Sequence, residues 1–316
     1  MRRVLLLLAT CLTVCAVGGS IVTDRALRAS RRRALPATAR RDAQRLVADG
    51  GGRLTPVSIA ASDGVVLHGW HLAPSRDTVT VPGAAVLLLH GIGSTRHGTL
   101  PVAGLLLAHG YQVLLVDLRA HGESGGDLVT FGARETDDTR RWLAWMTRTL
   151  APGCLYLYGG SLGAGIALQA RDTPGLCGVV AESPFASARE ITYDRLGQHV
   201  GTGAWLGRTL LRPAIESGIL YARLVLAVNL DSASALAAMA RDGAPVLLVH
   251  GTADTNIPVR HTTQLAGASR GPVVTWLMPG GGHTGALRLD PAGFRLRVIG
   301  FLRAHQVRWT GPTSAP

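Results

Sequence analysis

The pattern of apolar and polar positions divides the chain into unequal parts. After Met1-Arg2-Arg3, an uncharged and mostly apolar run extends from Val4 to Thr23. About 20 such residues match the length of a bilayer-spanning helix, whereas a cleaved signal peptide has a shorter core. Residues 1–23 therefore read as a membrane anchor or signal segment, 24–53 as a basic linker, 54–305 as one folded domain and 306–316 as a tail. In the domain, residues 54–60 and 64–72 alternate around Ala61-Ser62-Asp63 and predict an antiparallel hairpin. Apolar runs at 84–89, 111–116, 154–158, 177–181, 245–250 and 273–278 have the length of buried strands. Helical stretches at 99–109, 134–149 and 290–304 alternate with them. This rhythm predicts an α/β domain whose mostly parallel sheet is flanked by helices. It breaks between about 184 and 230, where a small helical cap is expected.

Composition adds limits. At 316 residues and 47% hydrophobic, the chain can bury one large core. Its net charge of +12 is concentrated near the start, where ten Arg and two Asp in residues 1–45 supply +8. The rest carries no basic stripe interleaved with aromatics, so no nucleic-acid partner is expected. The chain has no Lys, which excludes a P-loop and a Schiff-base lysine. Eight Arg follow the apolar run and two precede it, so the positive-inside tendency favours the cytoplasmic face for the domain. Cleavage near Ala16-Val17-Gly18 would instead give a secreted or periplasmic form. Cys154 and Cys177 open two strand-like runs and would lie in disulfide range if those strands were neighbours. Reduced, buried thiols are the preferred expectation, because free Cys is among the most buried residue types.

The chemistry concentrates at strand ends. Tyr156-Leu157-Tyr158 runs into Gly159-Gly160-Ser161-Leu162-Gly163, a Gly-x-Ser-x-Gly pattern that reads as a nucleophile elbow with Ser161 as nucleophile. The glycines Gly159 and Gly163 allow close backbone approach on either side. The run 84–89 ends in His90-Gly91-Ile92-Gly93, whose Ile92 N–H is a candidate oxyanion donor. Asp117, His121 and Glu123 crowd the next strand end and read as groups that tie down their own loop. Asp254 and His283 each follow a later strand, giving the order Ser, Asp, His. Glu182 and Asp231 are alternative acids, while His261 and His305 fall within helical stretches.

These motifs resemble the α/β-hydrolase family over residues 55–305, through His90-Gly91, Asp117 to Gly122, Gly159 to Gly163, Gly251 to Asp254 before Ile257-Pro258, and Gly282-His283. With Ser183-Pro184-Phe185 after the sixth strand, the chain looks most like membrane-anchored serine hydrolases with a short cap. The His90-Gly91-Ile92-Gly93 sequence departs from the His-Gly-Gly-Gly loop of hormone-sensitive-lipase-like esterases, so their bulky-ester preference is not carried over. The resemblance implies hydrolysis of an ester or thioester through an acyl-enzyme, with Ser161, His283 and Asp254 as the triad, the N–H groups of Ile92 and Leu162 as the oxyanion donors, and no metal or organic cofactor. The implied substrate is a small-molecule or lipid acyl compound. A serine peptidase, or a silent scaffold on the same fold, are the alternatives.

Overall fold

The computed structural model describes residues 2–28, 34–48, 51–75, 83–198, 201–202 and 204–306, and only the backbone of residues 2–12, 14 and 196. The expected hairpin is present as β1 (Arg53–Ala60) and β2 (Val66–Ala73), paired antiparallel with Ile59 opposite Leu67. Six further strands follow: β3 (Ala84–Leu89), β4 (Gln112–Val116), β5 (Cys154–Gly160), β6 (Leu176–Glu182), β7 (Val246–Gly251) and β8 (Val273–Met278). They form one sheet in the order β1-β2-β4-β3-β5-β6-β7-β8. Every pair from β4 to β8 is parallel, while β2 runs antiparallel to β4.

Alternate strand residues point to opposite faces, and both faces are covered. Leu87, Leu89, Leu157, Val179 and Leu248 pack on one side with α4 (Glu135–Leu150) and α5 (Leu162–Gln169), through Trp142, Leu143 and Ile166. Val86, Leu88, Tyr156, Val180 and Leu247 pack on the other with α3 (Leu100–Leu107) and α12 (Pro291–Ala304), through Leu106, Phe294 and Phe301. This double coverage explains why β3 is buried at all six positions and why its sequence shows no polar alternation.

Between β6 and β7 the chain forms α6 (Ala188–Gln198), α7 (Ala204–Arg208), α8 (Arg212–Leu224) and the short α9 (Ala235–Met239). The first helix, α1 (Arg2–Arg28), lies along α8. A Cβ on Gly218 would meet Thr23 Oγ1 at 2.0 Å, and the Tyr221 hydroxyl donates to Asp24 at 3.2 Å. Among the described residues, no helix is long and apolar enough to cross a membrane. Most side chains of the expected anchor, residues 2–12 and 14, lie outside those described, as do residues 29–33 of the basic linker and 307–316 of the tail. Within the same linker, α2 (Ala39–Ala48) buries Ala39, Ala43 and Val47 at helical spacing.

The cysteine expectation is corrected. Cys154 and Cys177 form a disulfide with their Cα atoms 5.8 Å apart. Adjacency of β5 and β6 makes it possible, and the register shift between them leaves Cys177 outside the paired residues. Sequence spacing alone does not reveal which strands are neighbours.

Candidate active site

Ser161 sits between the end of β5 and the first residue of α5, with φ 55 and ψ −113. A non-glycine residue in this region is strained, and only a well-supported turn holds it there. The support is close packing: a Cβ on Gly159 would meet Gly163 O at 2.2 Å, and one on Gly163 would meet Leu89 O at 2.3 Å. The Ser161 amide also donates to Glu182 O at 2.8 Å, tying the turn to the end of β6.

His283 arrives on the glycine-rich loop after β8. Its Nε2 lies 2.9 Å from Ser161 Oγ and its Nδ1 2.8 Å from Asp254 Oδ2. With Nδ1–H donating to the carboxylate, the Nε2 lone pair faces the serine hydroxyl. Asp254 is buried beyond β7, and its Oδ1 accepts from the amides of Asn256 and Ile257, each at 2.9 Å. His250 Nε2 stands 3.3 Å from Oδ2. Burial opposes the charge, but the contacts with His250, His283 and Ile257 outweigh it and hold Asp254 well below the usual carboxylate range.

The other acids have separate partners. Glu182 accepts from the Tyr158 hydroxyl and, at 2.9 Å, from the Ala286 amide; Asp231 pairs with Arg189 at 2.7 Å. Burial raises the Glu182 pKa against those two hydrogen bonds. With Ser183, whose Oγ accepts from Thr284 N at 3.2 Å, Glu182 pins the chain just after His283. His261, expected in a helix, lies in α10 (Arg260–Ala268) and contacts Asp194 at 2.6 Å, joining α10 to α6.

The loop after β3 lies against Ser161, where a Cβ on Gly91 would stand 3.3 Å from the serine Cβ. Two buried histidines fix it. His90 Nδ1 donates to Gly91 O at 2.8 Å and its Nε2 accepts from Leu118 N at 3.1 Å; His121 Nε2 accepts from Gly93 N at 3.3 Å. Burial pushes His90 down to about 3 and lowers His121 as well. Asp117 anchors the underside through Arg96 N, Arg96 Nη1 and Glu123 N at 2.7, 2.8 and 2.9 Å, in line with the structural role read for this cluster. The amides of Ile92 and Leu162 donate to no described protein group. Among the described residues, no three His, Cys, Asp or Glu side chains are grouped to hold a metal.

A cavity of about 630 Å³ opens above Ser161. Its lining includes the apolar Ile92, Pro101 and Val102 and the polar Arg195, Asn256 and Arg288. His250, Glu182 as a loop anchor, and the two arginines are contributors that sequence reading did not assign. Only His250 carried a signal, four residues before Asp254 at the end of a strand.

Residues 86–295 match the Alpha/beta hydrolase family, well over half of the chain, and the protein belongs to that family. The chain is 28% identical over 252 residues to the uncharacterized protein YqkD of Bacillus subtilis, covering 78% of this chain and 79% of YqkD. A shorter match, 34% identical over 113 residues, is to the lysophosphatidylserine lipase ABHD12 of Danio rerio and covers 33% of this chain and 29% of that protein. The esterase Pf2001 of Pyrococcus furiosus superposes with a TM-score of 0.65 at 24% identity, covering 82% of this chain and 94% of the esterase, and shares its fold.

Proposed function

We propose that the protein is a serine hydrolase that cleaves a carboxylic ester through a covalent acyl-enzyme. The observation that carries this reading is the unbroken hydrogen-bond chain from Ser161 through His283 to the buried Asp254. Ser161 Oγ attacks the ester carbonyl carbon while its proton passes to His283 Nε2. Asp254 holds the imidazole in orientation and balances its charge. The free amides of Ile92 and Leu162 receive the developing oxyanion. Collapse expels the alcohol, which takes the proton from His283. Water then attacks the acyl carbon with His283 again as base, releasing the acid and restoring Ser161.

Ester rather than amide chemistry is favoured by the similarity to a Danio rerio protein named as a lipase and a Pyrococcus furiosus protein named as an esterase. The apolar part of the cavity suits an acyl chain. The apolar run at residues 4–23 favours attachment to a membrane as a short-capped hydrolase, with residues 184–230 as the cap. The disulfide favours an oxidising compartment over the cytoplasmic face, against the tendency of the arginines. The test is hydrolysis of p-nitrophenyl butyrate by the purified protein and by Ser161→Ala. Turnover by the wild type and a loss of about a thousandfold or more in the variant is expected. Equal rates in the two proteins would refute the assignment.

A further inference from the structure

We infer that Arg195 and Arg288 select esters whose alcohol portion carries a negative charge. The inference rests on the ester-hydrolase reading and specifies its substrate class. Both side chains line the cavity above Ser161, and neither forms an ion pair with a described carboxylate. That sets them apart from the arginines around them. Arg189 pairs with Glu216 and Asp231, Arg208 with Glu190, and Arg260 with Glu190 and Asp194. The one carboxylate lining the cavity, Glu182, is engaged by Tyr158 and the Ala286 amide. Two exposed arginines therefore line the reaction cavity with no described carboxylate paired to them, a combination suited to a phosphate or carboxylate.

Their positions relative to the reacting groups define which part of the ester they meet. Arg288 lies in α11 (Ala286–Leu289), five residues beyond His283. Arg195 projects from α6 to Asn256 Oδ1 at 3.4 Å, and Asn256 follows Asp254 by two residues. Both arginines are thus tied to the segments that carry the acid and the histidine. His283 is the group that protonates the departing alcohol oxygen, so the alcohol portion must lie on its side. The apolar lining of Ile92, Pro101 and Val102, on the loop after β3 and the start of α3, is left for the acyl chain. The cavity is divided accordingly into an apolar part for the acid and a cationic part for the alcohol.

Exposed arginines act through screened charge, so their effect is moderate and salt-dependent. The experiment compares kcat/KM for 1-hexanoyl-glycerol 3-phosphate and 1-hexanoyl-glycerol, and separately for the hexanoyl esters of 4-hydroxybenzoate and 4-nitrophenol. Each pair shares one acyl-enzyme, so kcat/KM reports the acylation half-reaction. The proteins are the wild type and Arg195→Gln/Arg288→Gln. The wild type is expected to favour the anionic glycerol ester by about tenfold at low salt. The double variant should lose that preference, its kcat/KM ratio between the anionic and neutral esters falling to about one. Preference in the glycerol pair alone identifies phosphate as the recognised anion; preference in both pairs extends it to carboxylate. A wild type without preference, or a double variant that keeps it, overturns the inference while neutral turnover leaves the hydrolase reading standing. Failure of the wild type on all four esters overturns both.

Discussion

His250 Nε2 stands 3.3 Å from Asp254 Oδ2, the same carboxylate oxygen that His283 Nδ1 holds at 2.8 Å. His250 is itself fixed by Thr262 Oγ1 at 2.6 Å and Ile257 O at 2.8 Å. It acts as a positioning residue: it keeps the acid ionised and aimed without reaching the cavity. His250→Leu is expected to lower kcat on p-nitrophenyl butyrate by about ten- to hundredfold, the worth of one hydrogen bond to a charged group. KM should stay unchanged, because no substrate contact is removed. A variant that changes KM alone would contradict this role.

Acid sensitivity follows from the loop histidines. His90 and His121 each use one ring nitrogen as an acceptor for a backbone N–H, so protonation would set two donors against each other. Their folded pKa values lie below the ordinary value of 6.5, with His90 at about 3. The unfolded chain therefore binds these protons first, and stability falls as pH drops from about 6.5 toward 3. Asp254 acts in a lower window: its depressed carboxyl pKa gives stability above about pH 4 that is lost only in stronger acid. Thermal melts at a series of pH values should show a flat region above neutrality and a decline below it. His90→Asn should flatten that decline by up to a few kcal/mol.

The elbow allows a steric test. Gly163→Ala places a Cβ 2.3 Å from Leu89 O, a backbone atom of a central strand that cannot turn aside. A loss of about 1–3 kcal/mol in stability is expected in urea melts, with activity lost through displacement of Ser161. Gly201→Ala makes the contrast: among the described residues it meets no atom within 4 Å but has φ 71, so only backbone strain of about 1 kcal/mol is expected, with activity retained.

The disulfide closes a sequence separation of 23 residues between adjacent strands. Intact mass before and after reduction should differ by two hydrogens, and Cys154→Ser/Cys177→Ser should lower stability by about 3 kcal/mol. Ser161 lies at the opposite end of β5 from Cys154, so the rate per folded molecule should be unchanged. Equal stability of the two proteins would contradict a formed bond.

Much of this arrangement is legible in the sequence for a physical reason. Buried parallel strands such as Ala84–Leu89 need unbroken apolar runs, and the turn at Ser161 tolerates only glycine at positions 159 and 163. What stays hidden depends on which elements become neighbours. Cys154 and Cys177 reveal their bond only once β5 and β6 are adjacent. Glu182 reads as an alternative acid until Tyr158 and Ala286 are seen to occupy it. Arg195 and Arg288 are indistinguishable from the other arginines until the paired ones are set aside.

The most direct measurement is reaction of the protein with a fluorophosphonate, followed by peptide mass spectrometry, for the wild type beside Ser161→Ala and His283→Ala. An activated serine should carry the phosphonyl group on Ser161 in the wild type, and labelling should vanish in both variants. A folded wild type that takes no label, or a label on another residue that survives Ser161→Ala, would contradict the proposed nucleophile.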